Sequence, residues 1–276
     1  MEISSLVPGM TYKIGISAVK NGNMSEMVFI YQTLKPKPVI FVVPLEQRTH
    51  GVTLYAHLPN EGIFDEVFIT IRNGANQNIS FPCNPAGRFE LNDLFPGTEY
   101  EFSIYTKSDG MQSTPYETSV KTCLASPFNL REGMVNETSI QLVWDKAEGN
   151  FQQYEIICQS SSNIFMVQKV TEEKAIFFHL IPGTVYIFSL RTEKEQFRDS
   201  IPVTVEIQTV PAPPEYLNYT KDTGSLCFHG LRALGQLDGY LIFMTSEDFN
   251  RTEILPPTQR QQVSASFWMR AESRCK

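Results

Sequence analysis

The sequence predicts an all-β chain folded as two-layered antiparallel sandwiches, and three observations predict it. A Pro-Gly-x-x-Tyr corner recurs three times in register. Apolar and polar residues alternate over short runs bounded by turn residues, and no long helical pattern interrupts those runs.

The corners fall at Pro8-Gly9, Pro96-Gly97 and Pro182-Gly183, and each leads into a tyrosine: Tyr12, Tyr100 and Tyr186, spaced by 88 and 86 residues. Each tyrosine opens a period-2 run: Tyr12/Ile14/Ile16, Tyr100/Phe102/Ile104 and Tyr186/Phe188/Leu190. Alternate residues of a strand share one face, so each trio is expected to point into a core. A polar loop follows, then a second alternating run that ends in threonine, at Thr33, Thr122 and Thr209. Upstream, "SIQLVW" offers Ile140, Leu142 and Trp144 inward, and "YEIIC" offers Tyr154, Ile156 and Cys158. "GVTLYA" and "VFITI" hold the matching places in the unit before, and "GSLCFHG" and "YLIFM" those in the unit after.

The corner has a physical task. The chain crosses there from one sheet to the other, and Pro and Gly supply the restricted and permissive dihedrals of a tight turn. A buried tyrosine at that point can hydrogen-bond its hydroxyl to the crossing backbone. Trp144 is expected to fill the space between the sheets.

The Leu-x-Pro-Gly-x-x-Tyr corner, the strand tryptophan and the repeat of about 90 residues resemble the fibronectin type III domain. The resemblance implies tandem fibronectin type III (immunoglobulin-like) β-sandwiches in a linear array. It divides the chain into residues 1–34, the C-terminal part of one domain; 35–123 and 124–210, two whole domains; and 211–276, the N-terminal part of another. The chain then reads as a fragment of a longer array. Residues 1–34 hold one pair of strands, expected to pack irregularly on the next unit or to stay mobile. Trp144 aligns with Ala56 and Gly230, so those cores must be filled differently.

Composition narrows the function. Hydrophobic residues make up 42% of the 276 and charged residues 19%, as in packed domains, and the net charge of −7 argues against a nucleic-acid partner. The apolar run "VIFVVPL" is far shorter than the ~20 residues of a membrane helix. "MEISSLVPGMTYK" lacks the pattern of a secretory signal. Five cysteines stand far apart without a metal-like pair, and Cys158 is expected as a small buried hydrophobe. The four histidines, His50, His57, His179 and His229, have no ligand spacing, so neither a metal nor a cofactor is expected. No catalytic constellation stands out, and the chain is read as non-enzymatic.

Asn-x-Ser/Thr sequons at Asn23, Asn78, Asn136, Asn218 and Asn250 are glycosylation candidates, and they place the chain on the extracellular side of the plasma membrane as part of a larger parent. The charged segment "RTEKEQFRDS" at 191–200 reads as a solvated loop between the last two strands of its domain. "W-x-x-A-x-G-x-x-x-x-Y" and a proline opening the first strand resemble the ectodomain repeats of receptor-type protein tyrosine phosphatases. That resemblance implies a binding and spacing segment that meets a protein ligand or cell-surface partner. The alternative is a spacer array of an extracellular matrix or adhesion protein of the tenascin type. A cytokine receptor is disfavoured, because the Trp-Ser-x-Trp-Ser box and paired cysteines are missing.

Overall fold

The computed structural model describes residues 3–72, 78–82, 86–160, 163–214, 217–222, 225–231, 233–246, 249–255 and 262–268. Every regular element among them is a β-strand. The chain divides into two compact units, and each is described by itself. The first comprises residues 1–126 together with 148–152 and 192–201; the second comprises 127–147, 153–191 and 202–276.

The strands of the first unit are β1 (Thr11–Ile16), β2 (Val19–Lys20), β3 (Asn23–Met24), β4 (Val28–Thr33), β5 (Phe41–Gln47), β6 (Val52–His57), β7 (Glu66–Ile71), β8 (Asn78–Pro82), β9 (Arg88–Leu91), β10 (Glu99–Ser108), β11 (Met111–Gln112) and β12 (Tyr116–Lys121). β1 and β4 form an antiparallel pair whose register sets Tyr12 opposite Gln32 and Ile14 opposite Ile30. Beyond it, the sheet β5-β6-β9 faces a second sheet in which β10 lies between β7 and β12 and β8 pairs with β7. Alternation fills the space between them: Val52, Leu54 and Ala56 from β6, Val67, Ile69 and Ile71 from β7, Phe89 and Leu91 from β9, and Tyr100, Phe102 and Ile104 from β10. Burying side chains of this size contributes about 1.5–3 kcal/mol each. Ala56 stands where Trp144 stands in the following repeat, and the aromatic content of this core comes instead from Phe89, Tyr100 and Phe102, with the Phe81 and Phe89 rings edge-on at 5.1 Å. Pro44 is tolerated because β5 is an edge strand and the ladder slips at that point.

The first trio corrects the sequence expectation. Ile16 is 65% exposed and Ile14 only half-buried, because no described strand lays a second layer over the β1–β4 pair. The pair is nevertheless tied to the sandwich after it. The hydroxyls of Thr11 and Thr33 both donate to the Asp109 carboxylate at 3.0 Å, and the Ile63 amide donates to the Pro8 carbonyl at 2.9 Å.

The second unit holds β13 (Phe128–Val135), β14 (Ile140–Asp145), β15 (Gln153–Ser160), β16 (Asn163–Val170), β17 (Lys174–Phe177), β18 (Val185–Glu193), β19 (Val203–Gln208), β20 (Leu217–Asp222), β21 (Ser225–Leu231), β22 (Tyr240–Ser246), β23 (Phe249–Leu255) and β24 (Gln262–Trp268). The sheet β13-β14-β17 packs on the sheet β16-β15-β18-β19. Between them lie Ile140, Leu142 and Trp144, then Tyr154, Ile156 and Cys158, then Tyr186, Phe188 and Leu190, all buried as their alternation predicts. Trp144 meets Tyr154 edge-on at 5.3 Å, a favoured geometry for two aromatic quadrupoles. Farther along, β20-β21-β24 forms one sheet and β22-β23 a hairpin.

Candidate functional site

The recurring corner is the most regular constellation in the chain. Each tyrosine hydroxyl accepts a hydrogen bond from the amide five residues before it: Val7 to Tyr12, Phe95 to Tyr100 and Ile181 to Tyr186, all at 2.8 Å. The glycines of the three turns have φ of 77°, 63° and 65°, the left-handed region that a Pro-Gly turn demands. Tyr186 is fully buried and Tyr100 nearly so, whereas Tyr12 is half-exposed.

Two of the threonines that end the last strands, Thr122 and Thr209, belong to the same device, a role that sequence reasoning missed although the recurrence was visible; Thr33 instead donates to Asp109. The Thr122 hydroxyl donates to the Phe95 carbonyl at 2.8 Å and accepts from the Thr98 amide at 3.0 Å. Thr209 does the same, donating to the Ile181 carbonyl at 2.7 Å and accepting from the Thr184 amide at 3.0 Å. One hydroxyl thereby satisfies two backbone groups of a crossing that has no ladder partner.

A second tyrosine device also escaped the sequence reading. The Tyr154 hydroxyl accepts from the Ala147 amide at 3.2 Å, and that of Tyr240 from the Ala233 amide at 2.9 Å. The signal was the shared spacing Ala-x-Gly-x-x-x-x-Tyr at 147–154 and 233–240. Burial pushes the Tyr154 phenol above its ordinary value, since its ionised form would be poorly solvated there.

Several charged groups pair on the sheet faces. Lys107 reaches Glu66 at 2.8 Å, and its hydrogen bond, with that of Ser80, holds the Glu66 carboxyl below its ordinary value. Glu155 is only 7% exposed and takes the Arg191 guanidinium, whose Nε donates to it at 2.7 Å, with Lys169 at 3.5 Å. That pair was invisible in the alternation, because Glu155 occupies an outward position and is buried by its neighbours' long side chains.

The segment 191–200 joins β18 to β19 as expected and exposes Glu195, Gln196, Arg198 and Asp199, but Lys194 and Phe197 are half-buried. Lys194 donates to the Gly97 carbonyl at 2.7 Å and Lys121 to the Gln196 carbonyl at 3.2 Å. Both ammonium groups lie against the Phe197 ring, 4.4 and 5.0 Å from its centre. Burial, then the Lys121 charge, lowers the pKa of Lys194. A groove of about 240 Å³ lies beside this cluster, lined by Gln47, Glu99, Lys121, Cys123, Phe197 and Arg198. It combines cationic donors and an anionic acceptor with one aromatic edge, which suits a protein surface loop better than a small-molecule cavity.

The histidines do not converge. His50 lies 3.0 Å from Glu148, His57 stacks on Phe41 at 5.0 Å, and His179 adopts a φ of 60° in a turn. The side chain of His229 lies outside the described residues. Among the described residues no group of three His, Cys, Asp or Glu could hold a metal ion, and no helix is long and apolar enough to cross a membrane. Cys158 is fully buried, and burial pushes its thiol up to about 12. Cys123 is half-buried with its thiol on the Gln47 carbonyl at 3.1 Å. Asn23, Asn78, Asn136 and Asn250 are exposed. Asn218 lies on β20, and its side chain is outside the described residues.

Comparisons with known proteins identify the architecture. Residues 125–206 match the family model of the fibronectin type III domain. The chain is 29% identical over 235 residues to Tenascin-R of Homo sapiens and 30% identical over 235 residues to Tenascin-R of Mus musculus. Each match covers 81% of this chain, which spans only 17% of the length of those relatives. It is also 28% identical over 199 residues to the receptor-type tyrosine-protein phosphatase eta of Gallus gallus, covering 69% of this chain and 14% of that protein. A solved two-domain fibronectin type III segment from chicken tenascin superposes with a TM-score of 0.51 at 17% identity. It covers 63% of this chain and all of its own, a likeness of fold.

Proposed function

We propose that this chain, built of fibronectin type III domains, is a non-catalytic spacing and protein-binding segment of an extracellular matrix or adhesion protein of the tenascin type. The observation that carries this reading is the identity with Tenascin-R, which extends over 81% of the chain and so reaches well beyond a single domain. The relatives thus favour the alternative raised from the sequence over the phosphatase receptor placed first there. Exposed asparagines at Asn23, Asn78, Asn136 and Asn250 support an extracellular setting with attached glycans. The paired charges on the sheet faces and the mixed groove beside Phe197 fit a protein partner and give a polyanion such as nucleic acid little to hold. The domains are proposed to run over 35–123 and 124–210, with parts of two others at 1–34 and 211–276.

A second reading, the ectodomain of a receptor-type tyrosine phosphatase, draws on the match to the chicken phosphatase eta. Tissue fractionation with an antibody to this chain separates the two. A glycosidase-sensitive product released from the detergent-insoluble matrix by salt or urea is expected. Recovery in the detergent-soluble membrane fraction would favour the receptor, and an unglycosylated cytosolic product would overturn both.

A further inference from the structure

The three corners share a second regularity that no domain assignment requires. In each, the proline carbonyl accepts a hydrogen bond from a backbone amide far along the chain: Ile63 to Pro8 at 2.9 Å, Asn150 to Pro96 at 3.0 Å and Gln236 to Pro182 at 3.0 Å. The first two contacts lie within the first compact unit and the third within the second. Each donor directly follows a glycine, Gly62, Gly149 or Gly235, with φ of 94°, 90° and 92°. These glycines stand 53, 52 and 52 residues after the corner glycines.

Both backbones must approach bare. A Cβ on Gly9, Gly97 or Gly183 would sit 1.8, 2.1 or 1.8 Å from the carbonyl oxygen of Ile63, Asn150 or Gln236. On the opposite side, a Cβ on Gly149 or Gly235 would lie 2.6 or 2.1 Å from the carbonyl oxygen of Pro96 or Pro182, and one on Gly62 would lie 3.0 Å from that of Pro8. The close approach excludes side chains from both partners, which is the use of glycine where two backbones meet.

A further donor closes two of the contacts. The Ser108 hydroxyl donates to the Gly9 carbonyl at 2.7 Å, and the Lys194 ammonium to the Gly97 carbonyl at 2.7 Å. Ser108 and Lys194 both stand eight residues after the corner tyrosine of their own repeat, Tyr100 and Tyr186. The same bond is thus made by different residue types at one repeat position.

We infer that each corner and the glycine 52 or 53 residues beyond it form a clasp, a joint of one recurring geometry. It is made by two glycines and one proline carbonyl, and it ties the corner to the loop between β6 and β7, β14 and β15 or β21 and β22. The clasp fixes the approach of these segments through backbone atoms, and the Ser108 hydroxyl or the Lys194 ammonium supports it in two of the three cases.

Amide hydrogen exchange on the full chain tests this. The Ile63, Asn150 and Gln236 amides have the clasp carbonyl as partner, and slow exchange at all three is expected. Gly97→Ala should accelerate exchange at Asn150 by about tenfold or more while leaving Ile63, Gln236 and the amides of β10 unchanged. Ser108→Ala should accelerate Ile63 alone. Gly110→Ala is the control, because Gly110 has a φ of 79° with nothing near its missing Cβ. It carries similar backbone strain and should leave all three amides protected. Free exchange at the three amides in the unaltered chain would overturn the clasp, as would an unchanged Asn150 in Gly97→Ala. Equal acceleration at β10 and Asn150 would also overturn it, since the glycine would then serve its own turn only.

Discussion

Removing the hydroxyl of Tyr186 isolates what the corner contributes. Tyr186→Phe keeps the buried ring and its contact with Phe188, centre to centre 6.5 Å, and deletes only the acceptor for the Ile181 amide. That amide is left facing a phenyl edge, and leaving a part-buried donor unpaired costs about 1–3 kcal/mol. With a urea dependence of about 1 kcal/mol per molar for a domain of this size, a loss of about 2 kcal/mol lowers the midpoint by about 2 M. Trp144 reports on the same sandwich, being buried against Tyr154. The assay is urea unfolding followed by indole fluorescence in a Trp268→Phe background, which leaves Trp144 as the single tryptophan of the two in the chain. Tyr12→Phe is the comparison at the first corner, read by circular dichroism because Trp144 belongs to the other unit. Its corner is half-exposed, so water can replace the lost acceptor for the Val7 amide, and the cost should stay below about 0.5 kcal/mol. A midpoint for Tyr186→Phe within about 0.3 M of the unaltered chain would refute the claim that the hydroxyl supports the crossing.

Other outcomes follow from named groups. With its pKa raised from 9.0 to about 12, the Cys158 thiol stays protonated in the folded chain where it would ionise in the unfolded one. Stability should therefore hold below pH 9 and decline by about 1.4 kcal/mol per pH unit between 9 and about 12, a slope that Cys158→Val should flatten in denaturation at stepped pH. Cys158 should also resist thiol alkylation until the chain unfolds, whereas Cys123 reacts earlier; mass spectrometry of timed aliquots reads the order. Arg191→Ala leaves buried Glu155 with only Lys169 at 3.5 Å, and should cost about 2–3 kcal/mol, less than a fully buried pair because Arg191 is a third exposed. An equal loss in Arg191→Ala and in an Arg191→Ala/Glu155→Leu double variant would show that the stranded carboxylate is not the cause.

The fold was legible because alternation and corner chemistry are local. Ile140/Leu142/Trp144 and Tyr186/Phe188/Leu190 declare their faces within a few residues, and both sets are buried in the same core. Where burial depends on what lies across from a strand, alternation misleads. Ile14 and Ile16 carry the right period, yet no described strand lays a second layer over them, so the apolar face remains open. Glu155 fails in the other sense, being an outward residue covered by Arg191 and Lys169. The clasps were out of reach for a different reason: a hydrogen bond between Asn150 and Pro96 is a property of two backbones, and the only trace in the sequence is a glycine at a fixed distance. The segment 191–200 looked like open loop because charge suggests solvent, yet Lys194 and Lys121 use theirs on backbone carbonyls and on one ring.

The threonine that closes the second and third corners has a consequence for chemical modification. At Thr122 and Thr209 the hydroxyl proton is already engaged with a carbonyl and the oxygen already receives an amide, and both residues are about 1% exposed. No transferase could reach such an oxygen in a finished sandwich, and an O-linked sugar or phosphate there would leave two backbone groups without partners. Either mark found on these threonines would therefore date its attachment to before the strands closed, and the chains bearing it would be the ones that had failed to close.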